Sequence, residues 1–181
     1  MSGWFKRASD LAEIGDLMVA LERQSKDVMR LAREIRSVEA GHMFQLKENL
    51  RAKISEFEAV VALMDNRLAY LPADKRDLVK NKISDLEALV LTKSVQSYST
   101  FCARAQDSGA VPLWAREVFG RDLGAMEKAR SQLTEPRFSG RIAPREFDAI
   151  ERIKGVLLGL IEKAPRIPDF GMVAPAPAPG D

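Results

Sequence analysis

The chain has 181 residues, of which 46% are hydrophobic and 30% are charged, a composition typical of a soluble globular protein and too apolar for an intrinsically disordered one. Its 28 basic and 26 acidic residues leave a net charge of +2, which gives no overall reason to expect nucleic acid or an anionic membrane as a partner. A single cysteine excludes an internal disulfide bond, and a single histidine restricts the chemistry that depends on histidine.

The N-terminal segment, residues 1–7, is aromatic and basic, with Trp4, Phe5, Lys6 and Arg7. It has neither the apolar core nor the cleavage site of a secretory signal peptide, so we expect a cytoplasmic protein. Two aromatic and two cationic side chains beside an amphipathic helix are also able to contact a lipid surface or a protein partner.

The first predicted helix is long. Apolar residues keep a helical period from about residue 8 to residue 71, and proline first appears at Pro72. Because the phase of the apolar stripe is the same on both sides of Gly41, the pattern favours one continuous helix that bends there. The alternative is two helices that meet near Ala40 and Gly41.

Three further helices follow, separated by loops rich in proline and glycine. Their predicted ranges are about 74–105, 113–133 and 144–164. The short turn at Pro72 predicts an antiparallel hairpin between the long helix and the second helix. The sequence therefore predicts an all-α, elongated helical bundle over residues 8–165, followed by a disordered tail rich in proline and alanine over residues 166–181.

The first half of the long helix carries an apolar stripe that the two shorter helices are not long enough to cover completely. We therefore expect a homo-oligomer in which a second copy covers this stripe. The candidate contact residues are Leu21, Val28, Leu31, Ile35, Glu39 and His42. The last two are polar, and we expect them to be buried at the helix interface and to set its register.

Glu39 and His42 also have the Glu-x-x-His spacing that places two metal ligands one turn apart on a helix. A di-iron bundle needs this motif twice, and the chain has only one histidine. Cys102 lies on an apolar helical face far from that histidine in the sequence, which is typical of a small core residue. The chain has no phosphate-binding loop and no dinucleotide-binding or nucleophile motif. We therefore predict no cofactor and no enzymatic activity.

Two groups of basic residues are candidate contacts for an anion or a protein partner. The first group lies opposite the apolar stripe of the long helix and comprises Arg23, Lys26, Arg30 and Arg33. The second lies around the loop before the last helix and comprises Arg137, Arg141 and Arg145. Acidic residues border the first group, and neither group is dense enough to predict nucleic-acid binding.

Two pairs of glycines, at 120 and 124 and at 155 and 159, have the spacing that lets two helices approach closely. We expect the last two helices to cross at these glycines, because glycine costs about 1 kcal/mol relative to alanine inside a helix. The alternative is that Gly120 breaks its helix.

These observations predict a non-enzymatic helical interaction protein, such as an adaptor, a scaffold or an assembly component, with a protein partner. The first alternative is a peripheral membrane protein that uses residues 4–7. The second is a helical enzyme or metal protein that uses Glu39 and His42.

Overall fold

The computed structural model describes the backbone of residues 2–108 and 115–164, and the side chains of residues 11–39, 42–107 and 116–164. In these ranges the chain forms five α-helices and one short 3-10 helix, η1. They are α1 (Ser2–Ser37), α2 (Ala40–Leu68), α3 (Ala73–Ser108), α4 (Ala115–Leu133), η1 (Pro136–Phe138) and α5 (Arg145–Lys163). The helices pack against one another, which confirms the predicted all-α bundle.

The expectation of one continuous helix over residues 8–71 is wrong. The first helix ends at Ser37, Glu39 is extended with φ −63° and ψ 149°, and a second helix begins at Ala40. The alternative of two helices that meet near Ala40 is the one observed. The phase of the apolar stripe did not distinguish one continuous helix from two helices. Both α1 and α2 turn their apolar stripes toward the same core when the chain folds back.

Arg104 of α3 stabilises this fold-back. Its guanidinium donates hydrogen bonds to the carbonyl oxygens of Ile35 at 2.8 Å and Val38 at 2.5 Å. These carbonyls lie at the end of α1, where a helix leaves its last acceptors without partners inside the helix. A side chain of α3 therefore supplies hydrogen-bond donors to carbonyl groups at the break between α1 and α2.

The first three helices run up, down and up, and they share one apolar core. Glu13 near the start of α1 binds Arg67 at the end of α2 at 2.8 Å, which shows that α1 and α2 are antiparallel. Lys82 of α3 binds Glu22, so the start of α3 also lies beside the first half of α1. The core between them includes Leu21, Val28, Ile35, Leu50, Phe57, Met64, Ile83 and Val90.

Helices α4 and α5 pack on the part of α3 nearest the α1–α2 turn and form a second core there. Helix α5 contacts both α3 and α4, whereas α4 makes few backbone approaches to α2. Helices α2, α3, α5 and α4 thus surround an interior that is open between α2 and α4. Three aromatic rings, of Phe44, Phe101 and Phe119, pack together in this second core, with the centroids of Phe44 and Phe101 5.1 Å apart.

The predicted close crossing at the paired glycines is wrong. A Cβ atom placed on Gly120, Gly124, Gly155 or Gly159 would have no heavy atom of a neighbouring element within 4 Å. Helix α4 also continues through Gly120, so this residue does not break it. Helices α4 and α5 pack through their large apolar side chains on other faces, among them Met126, Ile153 and Leu157.

Candidate functional site: the groove between α2 and α4

The opening between α2 and α4 is an apolar groove of about 400 Å³. Its walls are formed by Ile54 and Phe57 of α2 and by Ala125 and Met126 of α4, and α3 forms its floor. Several of these side chains, including Ile54, Leu91 and Ala125, are only partly buried. A concave site with incompletely covered apolar side chains is the usual form of a binding site on a helical protein.

A buried ion pair joins the two walls beyond the end of the groove nearest the α1–α2 turn. Lys47 of α2 and Asp122 of α4 are 1% and 0% exposed, and Lys47 Nζ lies 2.5 Å from Asp122 Oδ2. The same Nζ lies 5.0 Å from the centroid of the Phe101 ring and 3.2 Å from Glu48 Oε1. The pair links α2 to α4 directly.

Burial is the largest cause of the pKa shifts around this ion pair. Burial raises the pKa of Asp122 above its ordinary value, although Lys47 opposes the shift. Burial, with a contribution from the Asp122 charge, raises the pKa of Tyr98 and raises the pKa of Cys102 to about 12. Tyr98 and Cys102 are therefore neutral at physiological pH, and Cys102 is a buried thiol of low reactivity.

A second ion pair crosses the groove at its rim, where Lys128 Nζ of α4 lies 2.7 Å from Glu58 Oε2 of α2. Both side chains are exposed, so solvent and salt weaken this contact. Two arginines, Arg51 and Arg121, also line the groove on the side of the buried pair. Arg121 binds no acceptor within the described part of the chain, so its charge is available to a ligand.

Glu87 of α3 lies at the other end of the groove. Burial raises the pKa of Glu87 to about 7, and the nearby Arg137 lowers it in part. Arg137 Nη1 donates a hydrogen bond to Glu87 Oε2 at 2.9 Å. A carboxyl group with such a pKa in a cleft is a candidate acid or base. The one observed partner of Glu87 among the described residues is Arg137. Their contact attaches η1 to α3, so it has a structural role.

The candidate self-association residues lie elsewhere. Leu21, Val28, Leu31 and Ile35 are each 5% exposed or less within the chain's own three-helix core. The expectation that this stripe needs a second copy is wrong, because α2 and α3 cover it. Self-association stays a prediction without an assigned surface.

Glu39 and His42 are both exposed at the α1–α2 turn, so the expectation of a buried polar pair is wrong. The break between α1 and α2 removes these residues from the continuous stripe on which that expectation was based. Among the residues that the structure describes, no three His, Cys, Asp or Glu side chains come together in a way that would hold a metal ion.

The first basic group is an exposed face of α1. Arg30 binds Asp27 at 3.8 Å and Glu34 at 2.8 Å, which reduces the positive field of this face. Arg23, Lys26 and Arg33 make no ion pair within the described ranges. Surface pairs of this kind contribute little to stability, and the face remains accessible to solvent.

The three arginines of the second basic group have different surroundings. Arg137 binds Glu87 and Glu135, and Arg141 Nε donates to Asp85 Oδ1 at 2.7 Å. These two arginines hold the loop between α4 and α5 against α3, and their donors are largely occupied within the chain. Arg145 is 79% exposed and lies 3.5 Å from Glu146.

Two predicted features lie outside what the structure describes. The backbone of residues 4–7 belongs to α1, which begins at Ser2 and not after residue 7, but the side chains of Trp4, Phe5, Lys6 and Arg7 lie outside the described residues. The tail over residues 166–181 lies entirely outside them. Within the described ranges, no helix combines the length and the hydropathy that crossing a membrane requires.

The sequence contains a signal for the buried ion pair in the spacing of Lys47 and Asp122 relative to core residues. Lys47 lies four residues after Met43 and three before Leu50, and both of these are core residues. Asp122 likewise lies between Phe119 and Met126 at helical spacing. One charged residue on each of two apolar faces is a pattern that predicts a buried pair.

The comparisons with known proteins do not identify the chain: no family model, no curated protein and no solved structure matches it.

Proposed function

We propose that the chain is a non-enzymatic helical interaction protein whose groove between α2 and α4 receives a helical segment of a partner protein. The observation that carries this proposal is the partly exposed apolar lining of the groove, with side chains of α2, α3 and α4 turned toward one opening. An amphipathic helix that places its apolar face in such a groove is a common mode of recognition.

Two features support a groove that is formed before the partner arrives. The buried pair of Lys47 and Asp122 joins its walls beyond one end, and the pair of Glu58 and Lys128 crosses its rim. A site whose walls are already held apart loses less conformational entropy on binding. The rim pair is exposed and can open at small cost, so that it does not block entry.

The charges at the groove define the chemistry of the partner. Arg51 and Arg121 lie on the side of the buried pair, and Arg121 has no acidic partner within the described residues. A partner helix with an apolar face and a flanking aspartate or glutamate would complement this charge. The proposed location is the cytoplasm, and the single buried thiol of Cys102 fits a reducing compartment.

Selection of binders from a displayed library of helical peptides tests the proposal. We expect enriched peptides to carry apolar residues at i, i+3 or i+4, and i+7, together with an acidic residue. Ala125→Trp, which fills the groove, should weaken their binding at least tenfold. Ser131→Trp, on an exposed site of the same helix outside the groove, should not.

Arg121→Gln should reduce the preference for acidic peptides and leave the apolar preference unchanged. The proposal is wrong if no peptides are enriched, or if the enriched peptides bind the Ala125→Trp variant as tightly as the native protein.

A further inference from the structure

A second concave site lies between α1 and α5, on the side of α3 opposite to the groove. It is a pocket of about 330 Å³, and three arginines line it. Arg36 comes from the last turn of α1, whereas Arg145 and Arg152 come from α5 and lie about two helical turns apart. Gln96, Ser99 and Thr100 of α3 complete the lining together with Glu146 and Ala149. We call it the arginine pocket.

The positive charge of the arginine pocket is poorly balanced. Arg36 and Arg152 form no ion pair within the described residues, and Glu146 is the one carboxylate in the lining. Glu146 is buried, lies 3.5 Å from Arg145 and also accepts a hydrogen bond from Gln96 Nε2 at 3.2 Å. Because this carboxylate is already engaged, it neutralises at most one of the three arginines, and an anion placed between them would reduce their mutual repulsion.

The polar side chains of α3 in the pocket differ in whether they can donate a hydrogen bond to a ligand. The hydroxyl of Thr100 donates to the carbonyl oxygen of Gln96 at 3.1 Å and is therefore not available as a donor. The hydroxyl of Ser99 is exposed and makes no hydrogen bond within the described residues, so it is free to donate to a ligand. The available donors thus include the guanidinium groups, the Ser99 hydroxyl and the second N–H of the Gln96 side-chain amide.

We propose that the arginine pocket binds a phosphomonoester group. Guanidinium forks pair with phosphate oxygens in a planar, bidentate geometry. A phosphomonoester is a dianion near neutral pH and offers three oxygens, which suits a pocket lined by three arginines better than a single carboxylate does. A concave pocket between two helices suits one phosphate group, whereas a nucleic-acid backbone needs a continuous basic track. This proposal is independent of the groove and of the partner helix.

Calorimetric titration with O-phosphoserine at low salt tests the proposal, with serine, inorganic phosphate and an oligonucleotide without terminal phosphates as parallel probes. We expect saturable binding of phosphoserine and inorganic phosphate and none of serine. Phosphoserine should bind more weakly at pH 5 than at pH 7.5, because its phosphate loses one negative charge below a pKa of about 6.

Arg36→Gln and Arg152→Gln should each weaken phosphoserine binding at least tenfold. Arg23→Gln is the matched control, because Arg23 is also an exposed arginine of α1 but lies outside the arginine pocket. Circular dichroism should show the same helicity for all variants. The proposal is wrong if phosphoserine does not saturate the native protein, if Arg23→Gln weakens binding as much as Arg36→Gln, or if the oligonucleotide binds more tightly than phosphoserine.

Discussion

Lys47 and Asp122, 75 residues apart in the sequence, form an ion pair that is almost completely inaccessible to solvent. This pair joins α2 to α4 at a level where few backbone atoms of the two helices approach each other. A buried ion pair is costly to desolvate, and removal of one partner costs more than removal of both. We therefore expect the pair to contribute to the specificity of the α2–α4 arrangement more than to its net stability.

Replacement of one member of this pair should be strongly destabilising. We expect Asp122→Leu to lower the free energy of unfolding by up to about 3–5 kcal/mol, because it leaves the buried Lys47 charge with the partly exposed Glu48 as its one remaining carboxylate partner among the described residues. The double variant Lys47→Met with Asp122→Leu should recover most of the loss. Urea denaturation of both variants measures the difference, and losses that simply add would contradict the interpretation.

The break between α1 and α2 should depend on Arg104. Arg104→Gln removes the two hydrogen bonds to the carbonyl oxygens of Ile35 and Val38. We expect a loss of about 1–3 kcal/mol and faster amide hydrogen exchange around the turn. Arg33→Gln, at an exposed position of α1, is the control and should change neither quantity measurably. Equal exchange rates at the turn in both variants would show that Arg104 does not hold it.

Stability should depend on pH through Glu87. Its pKa is raised to about 7 in the folded chain, above the ordinary value of 4.5, so the folded state binds more protons than the unfolded state between these values. The contribution of Glu87 therefore makes stability fall as the pH rises from about 4.5 through 7. Glu87→Gln should remove this slope from the urea midpoints measured at a series of pH values. Glu135→Gln, at the neighbouring carboxylate of Arg137, should retain most of it, because burial is the largest cause of the raised Glu87 pKa and the Glu135 charge contributes less.

Glycines in the exposed face of α5 should be replaceable. Because a Cβ on Gly155 meets no atom within 4 Å, Gly155→Ala should stabilise the protein by about 0.5–1 kcal/mol through helix propensity alone. Gly140 has a φ of +74°, where alanine is strained, so Gly140→Ala should destabilise it. Thermal melting of the two variants distinguishes these effects. A lower melting temperature for Gly155→Ala would mean that the helix approaches another element there.

Periodicity predicted the extents of the last three helices well, but not the number of helices, because the single helix expected over residues 8–71 is observed as α1 and α2. The predicted second helix over about 74–105 is observed as Ala73–Ser108, and the apolar face of α5, with Ile150, Ile153 and Leu157, is buried as expected. These features are local, because a repeat of apolar residues defines a helix and the face that it buries. Pro72 and Pro144 marked helix boundaries because the effect of proline on the backbone is also local.

The fold-back and the groove were not predictable in the same way. The turn after Ser37 is satisfied by Arg104, which lies more than 60 residues away in the sequence. The groove exists because α4 packs mainly on α5 and is joined to α2 by side chains. The separation between α2 and α4 depends on this tertiary packing, so no local sequence pattern predicts it. Arg36 and Arg152 likewise come together only because α1 and α5 both pack against α3.

Helix α3 passes through both apolar cores, with Ile83 and Val90 in the first and Val95 and Phe101 in the second. The two sets of side chains are less than two helical turns apart on a helix without interruption. Loss of either core would leave one half of α3 without its packing and would shorten the helix that supports the other. The bundle should therefore unfold as one cooperative unit, and a ligand bound at either side of α3 should raise the melting temperature of the whole chain.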